Sequence, residues 1–224
     1  MSPTLVACLG VAAASSAAAA SPDPPRARIE IKLERKNGAS WSAIDPSLVL
    51  NSGDVVRFRF KSNFDGYLYV TNLGTSGQYS LLFPREETGT RNVVQSGKEY
   101  VVPSTDAILR VSGPAGYESV YWLVSPVSLG HMPEMRPTRP SGSPPPVLIP
   151  RCDDTMLRAR GLCLDPKAGP RVVGKEEPLP AELGKLKATT RELTIVQEQN
   201  QYVLSPTGGT ASAPVLYEFR LAHK

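Results

Sequence analysis

The sequence predicts an all-β fold: an antiparallel β-sandwich or partly open barrel of seven to eight short strands. Three observations carry that expectation. Apolar and polar residues alternate at strand period in several separate runs. Turn signals built on Gly, Asn, Asp and Pro recur roughly every ten residues between them. No run in the first half beyond the leader shows a helical period. A Pro-rich linker and a mostly irregular C-terminal tail, with one or two short helices and a final strand, complete the expected architecture.

The first strand is Arg28–Glu34, with Ile29, Ile31 and Leu33 on one face and Arg28, Glu30, Lys32 and Glu34 on the other. That is the signature of a strand with one wet face. Lys36-Asn37-Gly38 turns the chain, and Trp41 and Ile44 are placed over the sheet edge. Asn51-Ser52-Gly53-Asp54 launches Val55–Lys61, where Val56, Phe58 and Phe60 oppose Arg57, Arg59 and Lys61. The central hairpin follows: Tyr67–Asn72 and Gln78–Phe83 joined by Gly74-Thr75-Ser76-Gly77, and closed by Pro84, which cannot donate to a ladder. Val93-Val94, Tyr100–Val102 and Ile108–Val111 read as short strands. Glu118–Val124 is nearly all apolar, so it is expected at the centre of a sheet, covered on both sides. In the tail, Asp153–Arg160 and Leu179–Leu186 have helical spacing, Glu192–Val196 with Gln201–Leu204 reads as a hairpin, and Val215–Leu221 alternates well enough to join a sheet.

These runs divide the chain into a signal peptide (1–20), a lead-in (21–27), the sandwich (28–126), a linker (127–150) and a C-terminal extension (151–224). The leader is apolar and small, and Ala18-Ala19-Ala20 before Ser21 fits an export cleavage site, although no Lys or Arg stands at its front. The expected location is therefore periplasmic or extracellular. Leu5-Val6-Ala7-Cys8 also resembles a lipoprotein box, which makes a lipid anchor the lesser alternative. No other stretch approaches the roughly 18 apolar residues of a spanning helix. The 22 prolines fit linkers better than a second core. A net charge of +4, scattered among acidic residues, leaves no nucleic-acid footprint. Once Cys8 leaves with the leader, Cys152 and Cys163 remain as an even pair, read as a disulfide rather than half a zinc site.

The turn Ser52-Gly53-Asp54 with Val56-Arg57-Phe58, the run Asp65-Gly66-Tyr67-Leu68-Tyr69-Val70, Leu81-Leu82-Phe83-Pro84, Gly97 with Tyr100 and Pro103, Gly113-Pro114 with Gly116 and Glu118, and Leu123-Val124-Ser125-Pro126 follow one another in a distinctive order. On these residues the block from Ile29 to Pro126 resembles a bacterial family, domain of unknown function 4384. The resemblance implies a β-rich module of exported or membrane-linked proteins. It carries no catalytic residue over to this chain.

Chemistry is tested against the same residues. Two histidines, His131 in the linker and His223 next to last, have no nucleophile placed by a motif, and both read as solvated. Ser96-Gly97-Lys98 is not a phosphate loop, because Asn92 and Glu99 stand where that motif needs Gly and Ser or Thr. Asp153-Asp154 and Glu176-Glu177 fall in the tail, where capping or solvation accounts for them. Glu86-Glu87 lacks the further oxygen ligands that calcium needs. No catalytic residue, metal or cofactor is expected. The one constellation with binding chemistry is an outer sheet face on which Arg57, Arg59, Tyr67 and Tyr69 come together, provided Leu68 and Val70 point inward; the bland alternative is ordinary cross-strand pairing. The sequence thus points to a non-catalytic interaction module of the cell envelope, with another envelope protein or a cell-wall polymer as partner. An enzyme accessory with an unrecognised site and a structural part of a surface or secretion assembly are the two alternatives.

Overall fold

The computed structural model describes residues 26–85, 91–104, 107–129, 149–150, 162–173, 179, 183, 192–199, 201–207 and 213–224. The leader, most of the linker, His131, Cys152, the helix expected over Asp153–Arg160 and most of that expected over Leu179–Leu186 lie outside them.

Among the described residues the chain forms thirteen strands in two sheets: β1 (Ile29–Asn37), β2 (Ser40–Ala43), β3 (Val55–Ser62), β4 (Gly66–Leu73), β5 (Tyr79–Phe83), β6 (Val93–Val94), β7 (Glu99–Val102), β8 (Leu109–Arg110), β9 (Gly116–Ser125), β10 (Gly169–Val172), β11 (Leu193–Glu198), β12 (Gln201–Pro206) and β13 (Val215–His223). The first sheet runs β11-β12-β1-β3-β7, with β2 on β1 and β8 on β3. The second runs β10-β13-β9-β4-β5, with β6 on β4. Every pairing between named strands is antiparallel. The predicted all-β sandwich is the fold.

The alternation read from the sequence fixes which side chains meet between the sheets. Leu33 lies opposite Phe58 and Ile31 opposite Phe60, and all four are buried. The second sheet answers with Trp122, Tyr217 and Phe219. Phe58 meets Trp122 edge-on with centroids 5.2 Å apart, while Tyr217 stacks on Trp122 at 5.9 Å and 6°. Such aromatic pairs contribute about 0.5–1.5 kcal/mol each beyond their burial. β9 sits between β4 and β13, as its unbroken apolar run predicts, with Val120, Trp122 and Val124 facing inward and Tyr121 and Leu123 facing out.

One expectation needs correction. The tail is not mostly irregular where it is described, and the sandwich does not end at Pro126. The β11–β12 hairpin extends the first sheet beyond β1, and β13 pairs with β9 over nine residues, from Val215 opposite Val124 to His223 opposite Gly116. The reason is hydrogen-bonding capacity: without these strands, β1 along Ile29–Ile31 and β9 along its whole length would each present an unpaired ladder. The final strand joins a sheet as its pattern predicts.

Candidate functional site

β3 and β4 are consecutive in sequence but belong to different sheets. The corner between them is fixed by one bond within the turn and one from a distant loop. Ser62 Oγ donates to the Phe64 carbonyl at 2.7 Å, and the Ser96 N–H donates to Asp65 Oδ1 at 2.7 Å. Gly66 opens β4 so close to β9 that a Cβ there would stand 2.6 Å from the Ser125 carbonyl oxygen. Only glycine allows that approach without a shift.

This crossover overturns the four-residue face. Arg57 and Arg59 lie on the outer surface of the first sheet, whereas Tyr67 and Tyr69 lie on the outer surface of the second. The expected register is present, since Leu68 and Val70 point into the core. Alternation says which side of a strand is wet, but it does not say which sheet the strand enters.

The two pairs differ in exposure: Arg57 and Arg59 are part-exposed and held by neighbouring side chains, whereas Tyr69 is buried. Arg57 Nε donates to Glu34 at 2.6 Å, and its guanidinium lies 4.2 Å from the centroid of the Trp41 ring. Arg59 Nε donates to the other Glu34 oxygen at 2.8 Å, and Arg59 also pairs with Glu99. Burial alone would raise the Glu34 carboxyl, but the hydrogen bonds from Arg57 and Arg59 outweigh it and hold its pKa below 4.5. Tyr69 is only 2% exposed, in a second apolar cluster with Tyr121, Leu123, Leu183 and Leu216, and Tyr67 packs against that cluster.

The structure also reveals polar groups that motif reading missed. His223, expected in solvent, is fully buried, and burial lowers its pKa. Its parity gives the reason: it continues the inward series Val215, Tyr217, Phe219, Leu221 by one step, a signal available in the sequence. Among the described residues neither of its ring nitrogens has a partner. Glu118, also inward, accepts from Asn72 Nδ2 at 3.0 Å, and burial raises its pKa. On the outside of the second sheet Glu218, 2% exposed, accepts from Ser119 Oγ at 2.6 Å, Arg220 Nε at 2.9 Å and Arg171 at 3.0 Å. Nearby, the Tyr117 hydroxyl donates to Asp165. Glu218 is held by three donors, which suits a structural role better than proton transfer. Among the described residues no three His, Cys, Asp or Glu side chains are arranged to hold a metal ion.

Comparison with protein families resolves part of the chain. The model of a domain of unknown function, DUF4384, matches residues 49–128. Over that segment the chain is similar to the DUF4384 family. The segment supplies β3 to β9, so in this protein the DUF4384 segment contributes strands to both sheets while β1, β2 and β10–β13 complete them from outside. No curated protein and no solved structure matches the chain. Cys163 is buried beside Val49 and Ala222 and is not a free thiol; Cys152, its expected partner, lies outside the described residues.

Proposed function

We propose that the protein is a non-catalytic interaction module of the bacterial cell envelope, exported by its leader and binding another envelope protein through the outer face of the first sheet. The observation that carries this reading is the fixed array of charges on that face. Glu34 holds Arg57 and Arg59 side by side, Glu99 extends the row, and Trp41 stacks on Arg57 at its end. Lys32 lies opposite Arg59 and Lys61 opposite Glu30 in the same ladder. Ion pairs that lock planar guanidiniums in place reduce the ordering cost of an interface, and arginine with an aromatic neighbour is the composition of binding hot spots. The near balance of acidic and basic groups fits a protein partner of mixed charge better than a uniformly charged polymer.

Two measurements test this. Intact mass of the envelope-extracted protein should place its N-terminus at or near Ser21; a chain retaining residues 1–20 would remove the export reading, and a lipid adduct on Cys8 would replace it with the anchored one. Crosslinking of the tagged protein in its own envelope should recover one partner reproducibly, and Trp41→Ala with Lys61→Glu should reduce that recovery at least tenfold while the melt is preserved. Undiminished recovery would sink the proposed face.

A further inference from the structure

We infer that β11 is a pairing edge through which two copies of this chain join their first sheets into one continuous antiparallel sheet. Besides the short β2, β6 and β8, which pair with one strand each, the two sheets leave four edge strands, β11 and β7 on the first and β10 and β5 on the second. Three of them carry proline: β10 contains Pro170, while β5 and β7 run into Pro84 and Pro103. Proline removes a donor and blunts an edge against further strands. β11 has no such protection. It is six residues long, Leu193-Thr194-Ile195-Val196-Gln197-Glu198, rich in β-formers and without charge over its first five positions.

The backbone of this strand is half unpaired among the described residues. Glu198 pairs with Gln201 across the hairpin tip, and the Thr207 N–H donates to the Glu192 carbonyl at 2.8 Å. Because hydrogen-bonded pairs alternate along an antiparallel ladder, Glu192, Thr194, Val196 and Glu198 turn their backbone groups toward β12. Leu193, Ile195 and Gln197 therefore turn theirs outward. Gln197 is exposed, Leu193 and Ile195 are half-buried with their side chains packed against the core, and Val196 on the outer face is 49% exposed.

The occupant that fits is a second β11. A two-fold axis at Ile195 is the arrangement that matches the outward groups symmetrically, in register about the middle of the strand. It sets Ile195 against Ile195 of the second copy, Leu193 against Gln197, and Thr194 against Val196, with no charge in the central five positions. At each end Glu192 would face Glu198 of the second copy. Glu198 is already held by Arg28 at 2.8 Å, which lowers its pKa and offsets part of the repulsion. The same opposition keeps the pairing weak and reversible, in keeping with the small area of a six-residue edge.

Sedimentation velocity of the mature full-length protein from about 10 µM to 1 mM, the range for a weak interface of this size, tests the inference. The wild type should move from monomer toward dimer as concentration rises. Val196→Asp, on the exposed face, should raise the dissociation constant at least tenfold. Ile195→Pro, which removes an outward N–H that β12 does not use, should do the same. Glu192→Lys, which places opposite charges across the two-fold axis, should lower the constant severalfold at low salt and lose that gain at high salt. A wild type that stays monomeric at 1 mM overturns the inference, as does a dimer unaffected by Val196→Asp or not tightened by Glu192→Lys. If Ile195→Pro fails to fold, the other two variants decide the matter. Loss of the β11 dimer would leave the charged face around Arg57 and Arg59 untouched, so the two readings fail separately.

Discussion

Tyr217 carries its hydroxyl into the middle of the sandwich, where the ring stacks on Trp122 and the oxygen has no partner among the described residues. Burial raises its pKa well above 10, so the group is a neutral phenol. Tyr217→Phe keeps the stack and removes an unsatisfied buried polar atom, which costs about 1–3 kcal/mol. The expected outcome is a higher melting temperature; a lower one would reveal that the hydroxyl is satisfied. Two other inward groups pull against one another with pH. The Glu118 carboxyl is raised by burial, so stability is full below pH 4.5 and falls as pH climbs from there through its folded value. His223 is lowered by burial, so stability is full above pH 6.5 and falls as pH drops from there toward its folded value. Glu118→Gln can still accept from Asn72 and removes the first loss. Thermal melts from pH 4 to 8 should show the variant gaining on the wild type as pH rises, and a constant difference would exclude this account. His223 was legible in the sequence from its parity, but its place near the chain end hid it. Glu118 was legible as a strand residue only, because an inward acid is what a strand pattern teaches one not to expect.

At the scale of the strand, the outer face of the first sheet depends on one carboxylate. Glu34 is 8% exposed and accepts from two arginines on the neighbouring strand. Its depressed pKa means that this contribution is present above 4.5 and is lost as pH falls through the folded value. Glu34→Gln should cost stability at the low end of about 1.5–3 kcal/mol at pH 7, because both guanidiniums are part-exposed and partly screened. The difference should vanish below the folded pKa, and an equal penalty at pH 7 and pH 3 would exclude the charge-based account. The strands themselves were legible: β1, β3, β4 and β13 show their inward set in the sequence, and β5 and β9 show as strands without one. The assembly of Arg57, Arg59, Tyr67 and Tyr69 was not. Whether β4 lies beside β3 or in the facing sheet depends on the bond from Ser96 to Asp65 at the corner and on the fit of Gly66 against Ser125, both contacts between residues distant in sequence.

For the whole molecule, the point at issue is how far the fold depends on residues beyond the DUF4384 segment. The tail is tied in near Cys163, through β12 on β1 and through β13 on β9. Near Cys163, the Val49 N–H donates to the Cys163 carbonyl at 2.7 Å, and Leu48 bridges Leu164. A Cys152–Cys163 disulfide would close a loop of about ten residues, worth roughly 2–3 kcal/mol through the unfolded chain, and peptide mapping without reductant should recover the two cysteines linked. The larger dependence is on β13. It lies between β9 and β10, its end is bridged by Leu50, and it buries Val215, Tyr217, Phe219 and Leu221 in the core. At about 1.5–3 kcal/mol per large apolar side chain, these four contribute roughly 6–12 kcal/mol before ordering entropy is subtracted. That is comparable to the entire net stability of a domain, about 5–15 kcal/mol. Truncation after Pro214 should therefore abolish the cooperative melt rather than merely lower it. A fragment ending at Pro126 should behave likewise, since it lacks both β13 and the β12 partner of β1. The truncated chain would expose the β9 ladder and the faces of Phe58 and Trp122, so insolubility on expression is the expected sign. A soluble, monodisperse protein that melts cooperatively after loss of residues 215–224 would show that the DUF4384 segment and its neighbours fold without the strand that here fills the second sheet.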